Sequence, residues 1–241
     1  MSEAQQILTT SPTQYKTFED LCPRKWWLRY ERGCLEPERS FQGYGKVLHA
    51  VIERFLRAPQ NGRDPKTGKP VEYFPEGWDQ DPALGIVLPA EADQIRRLFQ
   101  QAIEDGILVR PPGSIEEGDY LVEHRYTRIL RPGVEEHGVI DLLKPSGIDD
   151  HKSTSKRRWA LTEEKLARDA QMLSYGNVRR QVVAEGGCEL QHNIFVKDGV
   201  GYVMKRHVVV TTEQLQEREE KTQETVSAMR SEEHTSELQS R

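Results

Sequence analysis

The chain has 241 residues, 36% of them hydrophobic and 30% charged, with a formal net charge of −5 at pH 7 and a mean hydropathy of −0.74. That length allows one sizeable core, and the composition argues against a membrane protein: apolar runs last a few residues, and MSEAQQILTT lacks a basic start followed by an apolar block. Net acidity excludes a wholesale basic surface, so a polyanionic partner would have to meet local cationic patches.

In chain order, Ser11 as N-cap and Pro12 at the first helical position open a helix, with Tyr15, Phe18, Leu21 and Cys22 at helical spacing and Gly33 ending the segment. GYGKVLHAVIERFL predicts a second helix whose apolar side is Val47, Leu48, Val51, Ile52 and Phe55; His49 and Glu53, four apart, share a face. Residues 58–90, rich in Pro, Gly and Asp, read as an irregular insertion, followed by a helix at about 91–105. YLVEHRYTRIL, HGVIDLL and IDDHKS then alternate as strands, the last two joined by a turn at KPSG. A long helix at 162–184, a hairpin across KDGVG and a closing helix from TTEQLQEREE onward complete the order. Helices, three strands, helix, two strands and helix predict an α/β (α+β) fold around a small mixed sheet.

The end of the chain stands apart. RSEEHTSELQS (230–240) reads as a sequencing adapter translated in frame, so 230–241 is expected to be a non-native tail and 1–229 a single domain. Cys22, Cys34 and Cys188 have no CxxC pairing, so reduced thiols, no complete zinc site and a cytoplasmic address are expected.

Strand side chains alternate, so Asp150 and Lys152 share one face while Asp149 and His151 share the other. Hairpin pairing across KPSG sets Asp141 beside Asp150. Two carboxylates so close repel unless a cation lies between them, and a hard divalent ion such as Mg²⁺ suits the pair. Lys152 beside that ion would stabilise charge developing on a phosphate oxygen or orient the attacking water. An Asp-x-Lys triplet by itself more commonly marks a solvated strand.

Four motifs taken together go further. GKVLH (Gly45, His49), GVID (Gly138, Asp141), DHKS (Asp150, Lys152) and QMLSY (Gln171, Tyr175) occur in this order. They resemble the RecB-like branch of the PD-(D/E)XK nucleases, which shows G-x-x-x-H, G-x-x-D, (D/E)-x-K and Q-x-x-x-Y along one chain. SPTQYKTFEDLCPRKWWLRY also looks like that family's first helix, so the similarity covers most of 11–210, apart from the insertion at about 58–115. The resemblance implies a restriction-endonuclease-like core with a helical N-terminal region. It implies Mg²⁺ or Mn²⁺ held by His49, Asp141, Asp150 and the backbone carbonyl of His151, with Lys152 as the catalytic cation. Gln171 and Tyr175, four apart on a helix, would line the site and position Lys152 or DNA. Glu123, just before the metal strand, is expected to support the ligands from behind. Glu53, a turn beyond His49, could hydrogen-bond the imidazole or be a plain surface carboxylate.

Lys156, Arg157 and Arg158 follow the DHKS strand and are expected to meet DNA phosphates, with Trp159 able to stack on a base; Arg24 and Lys25 form a second cationic patch, while Trp26 and Trp27 read as core. Cys22, in CPRKWW, resembles the first ligand of the iron-sulfur members of the family. A four-thiolate cluster needs four cysteines; it is expected in an untruncated parent at most, and here Cys22 reads as a small buried residue. The expected function is a metal-dependent deoxyribonuclease, an exonuclease of recombination, repair or phage DNA processing, alongside a helicase or recombination/CRISPR partner. The alternatives are a non-catalytic DNA-binding scaffold of the same fold and a metallohydrolase of other phosphate esters.

Overall fold

The computed structural model describes residues 8–34, 40–81, 87–112, 120–182 and 187–239, with the side chains of 40–42, 180–182 and 232–239 left aside. Its mixed sheet combines β1 (Leu8–Thr10), β2 (Leu121–Arg131), β3 (Val134–Leu143), β4 (Gly147–Thr154), β5 (Cys188–Val196) and β6 (Tyr202–Val210). The strands run β1-β3-β4-β5-β6, and β2 pairs with β3 from outside that path. β2–β3, β3–β4 and β5–β6 are antiparallel, whereas β4–β5 and β1–β3 are parallel. The parallel step from β4 to β5 needs a crossover, supplied by α5 (Glu163–Leu166) and α6 (Ala170–Val182).

β2 occupies one edge of β3 along its whole length. β1 and β4 therefore divide the other edge: β1 takes Val134–Glu136 and β4 takes only Leu142 and Leu143. Between them β3 has no strand partner on that side, and the sheet forks there.

One face of the sheet is covered by α3 (Ser40–Arg57) and α4 (Pro89–Glu104), whose Val47, Leu48, Val51 and Ile95 meet Leu142, Phe195 and Val203. On the other face Met172, Tyr175 and Leu215 from α6 and α7 (Thr212–Gln239) meet Ile140, Leu143, Ile148 and Leu190. A third cluster joins the two ends of the described chain, Tyr15 and Trp26 packing with Val134, Val226 and Met229.

Several elements differ from the sequence reading. The opening helix is broken into α1 (Pro12–Lys16), α2 (Pro23–Trp26) and wide π turns after each. Pro23 causes the break at Cys22, whose φ of −173 is extended, because a residue before proline is pushed out of the helical region. Cys22 is consequently exposed rather than buried; Cys34 is exposed too, and Cys188 is buried. The helix expected over 162–184 divides at Asp169, whose Oδ1 caps α6 by accepting the Met172 N–H at 3.0 Å; residues 183–186 lie outside the described ones. β1 is an added strand, three residues being too short for a periodic signal. Residues 58–81 are irregular, as expected, yet they supply core: Trp78 is buried, Tyr73 and Phe74 pack against the same cluster, and Phe55, Tyr73, Phe74 and Phe99 stack edge to face or tilted. α7 continues past 229 to Gln239. No described helix is long and apolar enough to cross a membrane.

Candidate metal centre and lysine pair

Gly45 is where α3 touches β4. A Cβ there would sit 3.3 Å from Ser153 Oγ, so the absent side chain lets the helix lie close to the strand. About a turn later His49 reaches the backbone of β4, its Nε2 2.6 Å from the His151 carbonyl oxygen. A carbonyl only accepts, so Nε2 carries the proton and Nδ1 is the free nitrogen. Nδ1 stands 3.6 Å from Asp141 Oδ2.

Asp141 occupies the fork. With no β4 backbone beside it, its side chain takes over the ladder, Oδ2 accepting the His151 N–H at 2.6 Å. Gly138, three residues earlier, lies under its cross-strand partner Tyr126, whose ring would be 2.6 Å from a Cβ at that position.

Glu123 faces the fork from β2. The β2–β3 register pairs Val122 with Leu142 and His124 with Ile140 but skips the step where Glu123 would meet Asp141. Glu123 has φ +51, the left-handed region, and is the non-glycine residue with positive φ among those described. Side-chain alternation slips at the same place: Ile140 and Leu143 on β3 meet one cluster, as do Leu121 and Tyr126 on β2, although odd spacings send regular strand residues to opposite faces. Left-handed backbone costs a residue with a Cβ about 1–2 kcal/mol, and such strain concentrates at functional sites.

One ligand atom from each of His49, Glu123 and Asp141 lies within 4.8 Å of the others. Burial and then the Asp141 charge push the Glu123 carboxyl up to about 7, against the smaller opposing pull of His49 and Arg57. Hard oxygen and nitrogen donors so arranged fit a divalent cation such as Mg²⁺ or Mn²⁺. A cleft of about 420 Å³ opens beside the group, lined by Gly45, Lys46, His49, Ala50, Glu53 and Glu123.

Asp150 is outside this three-residue group. Its side chain is almost fully buried, and Lys152 Nζ lies 2.9 Å from both of its oxygens. Partial burial opposes the charge on Lys152, but the Asp150 and Asp141 carboxylates outweigh it and hold the ammonium above the usual lysine range. On α6, Gln171 Nε2 donates to Tyr175 Oη at 2.9 Å. Burial raises the Tyr175 phenol, the Gln171 hydrogen bond opposes this, and the charges of Asp150, Lys152 and Asp141 also act on it.

Other expected positions fall differently. The His151 carbonyl is engaged by His49, while its ring is fully enclosed and held neutral, its pKa lowered by burial, and next by His49, to about 3. Glu53 accepts from Arg57 Nε at 2.8 Å instead of bonding His49; the longer arginine reaches it one turn on. Lys156, Arg157, Arg158 and Trp159 are exposed just after β4, with the Arg158 guanidinium 5.6 Å from the Trp159 ring centre. Arg24 and Lys25 are exposed on α2. Trp26 is buried, and Trp27 is partly buried against the same cluster. Sequence reasoning overlooked His192, buried on β5 with Nε2 3.4 Å from Asp150 Oδ2; its run, CELQHNIFV, reads as a plain buried strand.

The structure is that of an α/β protein whose forked mixed sheet carries clustered acids, an imidazole and an Asp–Lys pair. Comparison with known families makes this specific: the model of the PD-(D/E)XK nuclease superfamily matches residues 9–239. The chain belongs to that superfamily. The crystal structure of a candidate exonuclease from Eubacterium rectale superposes with a TM-score of 0.53 at 14% identity, covering 93% of this chain and 82% of that one, so the fold is restriction-endonuclease-like. No curated protein matches the chain.

Proposed function

We propose that the protein is a RecB-like, Mg²⁺- or Mn²⁺-dependent deoxyribonuclease that hydrolyses phosphodiester bonds. The observation that carries this is the three-residue donor group of His49, Glu123 and Asp141 beside the Asp150–Lys152 pair. A divalent ion held there would supply Lewis-acid polarisation of the phosphate and a lowered pKa for water. The protein's own residues do the rest. Nε2 of His49 is fixed on the His151 carbonyl, which aims Nδ1 at the acids. Asp141 ties β4 to the fork, and Glu123 adds the second carboxylate. Lys152, kept charged by Asp150 and Asp141, offsets negative charge on the phosphoryl oxygens as water attacks in line and the leaving oxygen departs. The family resemblance adds Asp150 to the ligand set; its grip on Lys152 makes it the link between ligands and cation. Gln171 and Tyr175 bound the lysine side of the site.

Lys156, Arg157 and Arg158 hold backbone phosphates without reading sequence, and Trp159 offers a face to an unpaired base. An exonuclease role in recombination, repair or phage DNA processing, in the cytoplasm and beside a helicase or CRISPR-type partner, fits the RecB-like motif order and the name of the Eubacterium rectale neighbour. The test is degradation of end-labelled linear DNA in Mg²⁺ or Mn²⁺, with Asp141→Ala, Asp150→Ala and Lys152→Ala expected to abolish it. Cleavage that survives all three substitutions would refute the assignment, and DNA retention without cleavage by the wild type in either ion would select the scaffold reading.

A further inference from the structure

β5 is buried along almost its whole length. Its imidazole, His192, lies opposite Asp150 in the parallel β4–β5 register, with 5% and 3% of the two side chains exposed. His192 Nε2 and Asp150 Oδ2 are both buried, and neither makes a hydrogen bond with any described residue; they face each other at 3.4 Å. A buried N–H without an acceptor is unfavourable, so a proton on Nε2 has the Asp150 carboxylate, 3.4 Å away, as its acceptor.

The charged groups that act on this ring are Asp150 and Lys152 from β4, Asp169 from the cap of α6 and Lys16 from α1, while burial disfavours the charged imidazole. Lys16 Nζ meets Asp169 Oδ2 at 2.5 Å. Two pairs thus flank the ring, Lys16–Asp169 on the helical side and Asp150–Lys152 on the cleft side. Lys152 is 40% exposed on a flexible four-carbon stem. Gripped by Lys152 alone, the Asp150 carboxylate could turn about its last bond and the ammonium would follow; a second, rigid donor removes that freedom.

We propose that His192 is a positioning residue, fixing the Asp150 carboxylate and through it the Lys152 ammonium in the orientation phosphodiester hydrolysis uses. The role rests on the nuclease reading. Its test compares His192→Gln, whose amide can still donate to Asp150, with His192→Leu, both checked for folding by circular dichroism and thermal melting. For His192→Leu, kcat on linear DNA should fall at least about tenfold, with KM for DNA within about twofold of wild type, and His192→Gln should recover most of the loss. Wild-type kcat in His192→Leu, or a folded His192→Gln no better than His192→Leu, overturns the proposal. If the wild-type protein cuts no DNA, the nuclease reading fails instead, and the contact is judged by nitrogen-15 NMR of the imidazoles: a slowly exchanging Nε2–H of His192 that shifts in Asp150→Asn supports the hydrogen bond, and an unprotonated Nε2 sinks it.

Discussion

Glu123 offers a prediction in which stability and ion binding move in opposite directions. Its backbone is left-handed, φ +51, which costs an L-residue about 1–2 kcal/mol. Glu123→Gly and Glu123→Ala both remove the carboxylate, and they differ only by the Cβ. Glycine relieves the strain but gives back about 0.4–1 kcal/mol through the greater freedom of the unfolded chain. Glu123→Gly should therefore be more stable than Glu123→Ala by about 0.5–1 kcal/mol, or about 1–4 °C in Tm for a chain of this size. Both variants lose one carboxylate of a three-residue donor group, so both should bind Mn²⁺ at least tenfold more weakly. Thermal melts in EDTA and calorimetric Mn²⁺ titrations read the two effects separately. A glycine variant no more stable than the alanine variant refutes the strain argument, and full Mn²⁺ affinity in both refutes Glu123 as a ligand.

The buried Arg128–Glu136 pair (2.7 Å, both side chains at most 5% exposed), which Tyr126 joins through its hydroxyl at 3.0 Å, should make Glu136→Gln about 1–3 kcal/mol less stable in urea melts, since the guanidinium keeps only the more exposed Glu219, 2.8 Å from its Nη1, as a charge partner. Asp169 is held below its ordinary 3.8: burial works against this, but the Lys16 ammonium and the Met172 N–H together outweigh it. A lowered acid stabilises the fold fully above its unfolded value and loses that contribution as pH falls through the folded one, so Lys16→Met should cost about 1–2 kcal/mol at pH 7 and progressively less below pH 3.8; a penalty independent of pH would be the contrary result. Replacing Lys156, Arg157 and Arg158 with alanine should lower the slope of log affinity against log salt for duplex DNA by about 0.9 per lost phosphate contact, measured by fluorescence anisotropy; an unchanged slope would place DNA elsewhere.

What the sequence discloses and what it hides follow from the range of the interactions. The strand pair around KPSG is legible because Pro145 and Ser146 form a two-residue loop between Lys144 and Gly147, which exchange backbone hydrogen bonds at 2.8 and 3.2 Å. The places of Asp141, Asp150 and Lys152 on that hairpin are legible for the same reason, and the i, i+4 spacing of Gln171 and Tyr175 is a local fact of helix geometry. Glu123 is different: its meeting with Asp141 depends on a phase slip shared by two strands, and periodicity assumes that no slip occurs. His192 meets Asp150 across 42 positions, through a parallel register that no local pattern encodes. β1 pairs with β3 more than a hundred positions away. Cys22 reads as one of an apolar helical set until Pro23 takes its backbone out of the helix.

The third apolar cluster sets a timetable for the molecule. Val134, at the start of the strand that leads to Asp141, is covered by Tyr15 and Trp26 from one end of the described chain and by Val226 and Met229 from the other, and Arg218 clasps Glu19 across 199 positions. During synthesis the early and middle segments must wait for α7 before this seam can close. The nascent polypeptide thus holds every acid of the cleft long before it has the frame that sets them in place, and the cleft is framed only after residues 218–229 have emerged.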